Sequence, residues 1–161
     1  MPPKIVNVGI IGCGEATQVL HIPTLNQMHE RFNVTYLCGR SHDALKFCSE
    51  RVINHVPKTT LEAAEVCASS EVDVVFVISS DEFHPKHSIL ALKHNKHVFV
   101  EKPMALTEAD AYSIIEAEET STGRVFVGYM RRYATAFIEA VNEIGGIEKI
   151  LYARVRGETC P

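Results

Sequence analysis

Short, almost wholly apolar runs recur along the chain, separated by stretches in which apolar positions return every three or four residues. Lys4 to Ile11 predicts a first strand, and Glu15 to His29 a first helix that Pro23 should kink. Asn33 to Cys38 predicts a second strand, stopped by Gly39-Arg40-Ser41 ahead of a helix over about His42 to Arg51. Thr59 and Glu62 have capping-box spacing and predict the head of a third helix. Val72 to Ser79 is apolar at Val72, Val74, Val75, Phe76, Val77 and Ile78, which suits a central parallel strand covered on both faces. Pro85 fits the first turn of a helix running to about Asn95. His97 to Glu101 reads as another strand, and Thr107 with Asp110 caps a helix that ends near Gly123. Arg124 to Tyr129 supplies the sixth strand, and Ala134 to Ile144 a last helix closed by Gly145-Gly146.

Strands that alternate with helices in this way imply an α/β fold, a doubly wound parallel sheet with its ligand at the carboxyl ends of the strands. Ile147 to Arg156 mixes apolar and charged positions as a half-covered strand does, and it follows the helix that should complete the sheet. The expected organisation is therefore one domain over residues 1–146 and the opening of a second α/β domain over 147–161, with only its first strand present. A strand with open edges is a template for pairing, so either self-association through 147–156 or poor order of that segment is expected.

Composition narrows the possible partners. The net charge of −4 gives no electrostatic reason to expect nucleic acid or an anionic membrane. No apolar run approaches membrane-spanning length, and the opening Met-Pro-Pro-Lys lacks the core of a signal peptide. The five cysteines are odd in number and contain no Cys-x-x-Cys pair. They read as reduced, partly buried thiols of a cytoplasmic protein, with neither a disulfide framework nor a metal site.

The chemistry gathers at the predicted strand ends. Gly12-Cys13-Gly14 closes the first strand and leads into a helix: Gly12 permits the tight turn, Gly14 lets backbone approach a pyrophosphate, and the helix N-terminus offers unpaired N–H groups. Thr17 replaces the third glycine of the usual fingerprint. A plain glycine turn is the alternative. Arg40 and Ser41 follow the second strand, where a dinucleotide fold meets the adenosine ribose, and a cation and a hydroxyl there favour a 2′-phosphate over a bare 2′-hydroxyl. A solvated Arg before a helix is the alternative. Ser79, Ser80 and Asp81 end the central strand and can touch phosphate or ribose. His84 and His87 lie three apart, but without a third ligand a metal is not expected, and surface or capping histidines are the favoured reading. Glu101-Lys102-Pro103 leaves an apolar strand with a lysine that can exchange a proton with a hydroxyl undergoing hydride transfer, Glu101 orienting it; a polar strand exit is the alternative.

These segments, together with His21-x-Pro23-x-Leu25, His97-Val98-Phe99-Val100-Glu101-Lys102-Pro103 and Gly128-Tyr129-Met130-Arg131-Arg132-Tyr133, occur in an order that resembles the glucose-fructose oxidoreductase, inositol dehydrogenase and related (Gfo/Idh/MocA) family. The resemblance covers essentially the whole chain. It implies a Rossmann domain that binds NADP, with NAD possible, through Gly12, Gly14, Glu15, Ala16, Arg40, Ser41, Ser79, Ser80, His84, Glu101, Lys102 and Arg131. It implies proton transfer at Lys102 as hydride moves between nicotinamide and a sugar, polyol or similar alcohol. The Met-Arg-Arg-Tyr segment resembles that of inositol dehydrogenases, but Ala134 stands where an Asp often follows, a departure from the polyol pattern.

Family enzymes carry a second α/β domain with the substrate pocket, further catalytic groups including a His, and usually the oligomer interface. Beyond a possible first strand, the chain holds none of it, so it is expected to be a cofactor half without turnover of its own. A non-catalytic, dinucleotide-sensing regulator is the competing reading, since the family includes a galactose-regulon repressor. A folded remnant without ligand is a third. Lys102 favours the enzymatic ancestry.

Overall fold

The computed structural model describes residues 5–152. Six parallel strands form one sheet in the order β3-β2-β1-β4-β5-β6. They are β1 (Val6–Ile11), β2 (Phe32–Cys38), β3 (Lys58–Thr60), β4 (Val74–Val77), β5 (His97–Val100) and β6 (Val125–Val127). The helices are α1 (Ile22–Gln27), α2 (His42–Ser49), α3 (Ala63–Ala68), α4 (His84–Lys93), α5 (Glu108–Glu119) and α6 (Thr135–Ile144). The order reverses between β1 and β4, and such a switch point opens a crevice at the carboxyl edge.

Alternation along each strand builds the two faces. Val8 and Ile10 of β1 pack with Ile22, Leu25, Leu37, Leu45 and Cys48, under α1 and α2. Ile11, Val75, Val77, Val98 and Val100 pack with Val66, Ala91, Leu92 and Ile114 of α3, α4 and α5. Gly9 sits where α3 comes closest, since a Cβ there would meet Val66 Cγ1 at 2.5 Å.

Three elements differ from the sequence expectation. The segment over Lys58–Thr60, expected to be a helix head capped by Thr59, is an edge strand paired with β2. α3 starts only at Ala63, with no side-chain cap, and Thr60 Oγ1 accepts instead from the Glu62 amide at 3.0 Å. The first helix, expected to kink at Pro23, widens into a π-helical turn over Thr17–His21 that closes with Ile22 N–H donating to the Thr17 carbonyl. Pro23 can donate no bond, and its ring crowds the carbonyl four residues back, which accounts for the wider turn. Residues Ile147–Lys149 form a 3-10 turn after the positive-φ pair Gly145 and Gly146, where a strand over 147–156 was expected. Among the described residues no strand pairs with this segment, and extended backbone without a ladder leaves its polar groups unmet; residues 153–156 lie outside the described residues.

The contacts divide the chain into two compact units, one ending at Gly128 and one starting at Tyr129, ahead of the boundary expected after Gly146. In the second unit α6 contacts the 3-10 turn Met130–Tyr133 and the turn Ile147–Lys149. No helix among the described residues is long and apolar enough to cross a membrane. Cys13, Cys38, Cys48 and Cys67 are free and buried.

Candidate functional site

Register sets the site. Ile11 lies opposite both Cys38 and Val77, Cys38 opposite Thr60, and Val77 opposite Val100. The strands therefore end level, and the segments that follow them come together along one edge.

The turn after β1 is held by side chains of the helix it leads into. Gly12 has φ 111°, and a Cβ there would strike the Ile78 carbonyl, so glycine is required. Its N–H donates to the Cys38 carbonyl at 2.8 Å, and its own carbonyl accepts from Thr17 Oγ1 at 2.5 Å. The Cys13 carbonyl accepts from Gln18 Nε2 at 2.9 Å. With the turn's carbonyls tied back, the first N–H groups of the helix, which have no intrahelical acceptor, stand beside Gly14. A Cβ on Gly14 would meet nothing within 4 Å, so that glycine borders open space. The Cys13 thiol is pushed well above its ordinary range by its hydrogen bond with Cys48 and by burial, so it places no anion beside this donor site.

An open cleft of about 740 Å³ runs along the strand ends. Gly12, Gly14, Glu15, Ala16, Arg40, Ser41, Ser79 and Ser80 all line it. Ser41 also caps α2, its Oγ accepting from the Ala44 amide at 3.5 Å. Ser79 Oγ and His87 Nδ1 share a hydrogen bond at 2.9 Å. Burial, then the neighbouring Lys86 and His84, holds His87 below the ordinary histidine range, so this bond is made by a neutral ring at neutral pH. The sequence reading missed Leu61 and Glu62, after β3, and Phe83, Lys86 and Leu90 of the α4 region, which also line the cleft; it favoured a surface or capping role for His87 over a metal ligand and did not place it at the cleft. The signal available for Leu61 and Glu62 was the second crossover, which must return past the adenosine end of such a sheet.

Glu101, Lys102 and His84 lie outside this lining. The Glu101 amide donates to the Val77 carbonyl at 3.0 Å, continuing the β4–β5 ladder. Its carboxylate bonds His21 Nε2 through Oε1 at 2.9 Å and accepts the Lys102 amide through Oε2 at 3.0 Å. His21 in turn packs edge-on against Phe76 and Phe99, with centroids 6.0 and 5.6 Å away. The Lys102 side chain is exposed. His84, expected among the cofactor contacts, is corrected by the structure: it is 1% exposed, with Nδ1 2.7 Å from the Pro103 carbonyl and Nε2 2.9 Å from the Ser79 carbonyl. Both ring nitrogens are committed to backbone, and the ring has no surface to offer a ligand. Arg131 is exposed in the second unit, on the Met130–Tyr133 turn.

Residues 6–129 match the model of an oxidoreductase family with an NAD-binding Rossmann fold, Gfo/Idh/MocA. Inositol 2-dehydrogenase of Salmonella typhimurium is 33% identical over 146 residues, covering 87% of this chain and 40% of the relative. Inositol 2-dehydrogenase of Paracoccus denitrificans is 30% identical over 157 residues, covering 94% and 46%. Among solved structures, myo-inositol dehydrogenase from Lactobacillus casei, in complex with NAD(H) and myo-inositol, superimposes with a TM-score of 0.78 at 29% identity, over 87% of this chain and 41% of that one. The chain thus spans less than half the length of these relatives.

Proposed function

The chain belongs to the Gfo/Idh/MocA oxidoreductase family, and from that premise we propose that it binds a nicotinamide dinucleotide along the cleft for hydride transfer to or from a sugar, polyol or similar alcohol. The observation that carries the proposal is the convergence of Gly12, Gly14, Arg40, Ser41, Ser79 and Ser80 on one cleft at the switch point of the sheet.

The residues present fit the cofactor. The open space at Gly14 admits a pyrophosphate to the helix N–H groups, and a substituent on that glycine would fill it. Arg40 and Ser41 take the adenosine ribose, where a cation and a hydroxyl favour the 2′-phosphate of NADP over NAD. Ser79 and Ser80 offer hydroxyls to the ribose and phosphate between the two ends of the cofactor. A nicotinamide dinucleotide held there would supply the hydride donor or acceptor. Lys102 gives or takes the proton of the alcohol oxygen, and Glu101 fixes the base of that lysine by accepting its amide.

Titrating the chain with NADPH and with NADH, following nicotinamide fluorescence, tests the reading. Saturable binding, tighter for NADPH, is expected. Absence of saturable binding by either cofactor overturns it.

A further inference from the structure

We propose that His21 is a positioning residue: from the far end of the Thr17–His21 turn it fixes the carboxylate of Glu101, and through it the backbone of Lys102. The inference rests on the reading of Lys102 as the proton-transfer group and adds what holds that lysine in place relative to the phosphate turn.

Pro23 widens the helix just ahead of itself, and the Ile22 amide donates to the carbonyl of Thr17, five residues back. An α-helical turn would close on Gln18. The extra residue rotates the segment by about 100° from α-helical register, and the His21 ring rests edge-on against Phe76 and Phe99, with centroids 6.0 and 5.6 Å away. Those two phenylalanines are register partners on β4 and β5 and stack at 4.6 Å, so the ring stands on a platform made by the strands that lead to Ser79 and Lys102. From there Nε2 meets Glu101 Oε1 at 2.9 Å, with both side chains mostly buried. An ionised carboxylate only accepts, so this nitrogen carries the proton, and a neutral ring meets that need as well as a charged one.

The Lys102 amide is the first beyond the β4–β5 ladder. Glu101 N–H still donates to the Val77 carbonyl at 3.0 Å, whereas Lys102 N–H donates to Glu101 Oε2 at 3.0 Å. The base of Lys102 is therefore set by a side chain, and that side chain is set by His21. The other end of the same turn holds the phosphate site, where Thr17 Oγ1 donates to the Gly12 carbonyl and Gln18 Nε2 to the Cys13 carbonyl. One turn of five residues thus fixes the proton-transfer loop and the pyrophosphate turn relative to each other, while the Lys102 side chain stays exposed to reach a substrate. Such geometry matters because a misplacement of about 1 Å costs on the order of a hundredfold in rate.

The test uses nitrogen-15 NMR and amide exchange on the 161-residue chain. In the parent at neutral pH, His21 Nε2 is expected to bear a proton, and a bare Nε2 overturns the proposal. In a folded His21→Leu variant the Lys102 amide should exchange faster by on the order of tenfold or more, with Val75 and Val98 of the strands unchanged. His21→Gln, whose side-chain amide offers a donor in the place of Nε2, should bring Lys102 back to within about threefold of the parent. Lys102 exchange that is unchanged in His21→Leu, or as fast in His21→Gln as in His21→Leu, overturns the proposal; the second result is what a ring that only packs would give. Should the variants not fold, the proton on Nε2 of the parent still decides. Exchange that responds as expected in a chain that binds no NADPH refutes the functional reading and leaves the link from His21 to Lys102 standing; NADPH binding with Lys102 unchanged in His21→Leu refutes that link alone.

Discussion

His21 Nε2 meets Glu101 Oε1 at 2.9 Å, with the side chains 12% and 13% exposed, and so ties the first helical segment to the end of β5 across 80 residues of sequence. Removing one partner leaves the other largely buried and unpaired, which costs more than the bond contributes. His21→Ala should destabilise the chain by about 1–3 kcal/mol. A double-mutant cycle with Glu101→Ala, read by denaturant unfolding, should show coupling of about 0.5–3 kcal/mol. Additive effects would mean that the pair is not formed.

The two glycines of the first turn should separate fold from binding. Gly12 combines φ 111° with a Cβ path blocked by the Ile78 carbonyl, whereas a Cβ on Gly14 meets nothing within 4 Å. Gly12→Ala should therefore lower the unfolding free energy by more than about 1 kcal/mol, and Gly14→Ala by less than about 0.5 kcal/mol. Equal losses in thermal melts would contradict the geometry.

Arg40 is exposed at the cleft, so its effect should appear in cofactor choice and not in stability. Arg40→Ala should weaken NADPH binding by roughly tenfold to a hundredfold, about 1.5–3 kcal/mol for a charge-assisted contact, and leave NADH unchanged. Parallel titrations check it; an equal loss for both cofactors would move the 2′-phosphate elsewhere.

His87 gives a pH signature. Burial, with Lys86 and His84 nearby, holds its folded-state affinity for a proton below that of an ordinary histidine. Protons then bind the unfolded chain more readily, so the stability contributed by the neutral ring is fully present above about pH 6.5 and is lost as pH falls below it. His87→Gln should flatten that part of the stability–pH curve in denaturant titrations from pH 7.5 to 5. A variant curve parallel to the parent's would assign the acid loss to other groups.

β1, the glycine turn and β4 are plain in the chain because a central parallel strand must be apolar on both faces and only glycine fits the turn at Gly12. The Thr107 cap was equally readable: its Oγ1 accepts the Asp110 amide at 3.1 Å. β3 was not, because Lys58-Thr59-Thr60 is polar, mostly exposed and short, and only pairing with Tyr36, Leu37 and Cys38 makes it a strand. With β3 went Leu61 and Glu62, the part of the cleft that follows it. His84 was misread for a different reason: a histidine near a phosphate turn looks the same in sequence whether it faces ligand or backbone, and only its burial between Ser79 and Pro103 distinguishes the two.

Whether a dinucleotide pyrophosphate lies over Gly14 is decided by one comparison. The parent chain and Gly14→Val are titrated with NADPH, following nicotinamide fluorescence, with circular dichroism and melting recorded for both. Saturable binding by the parent and none by Gly14→Val is expected, with both chains folded, since a Cβ at this position meets nothing within 4 Å. A well-folded Gly14→Val that binds NADPH as the parent does would contradict it.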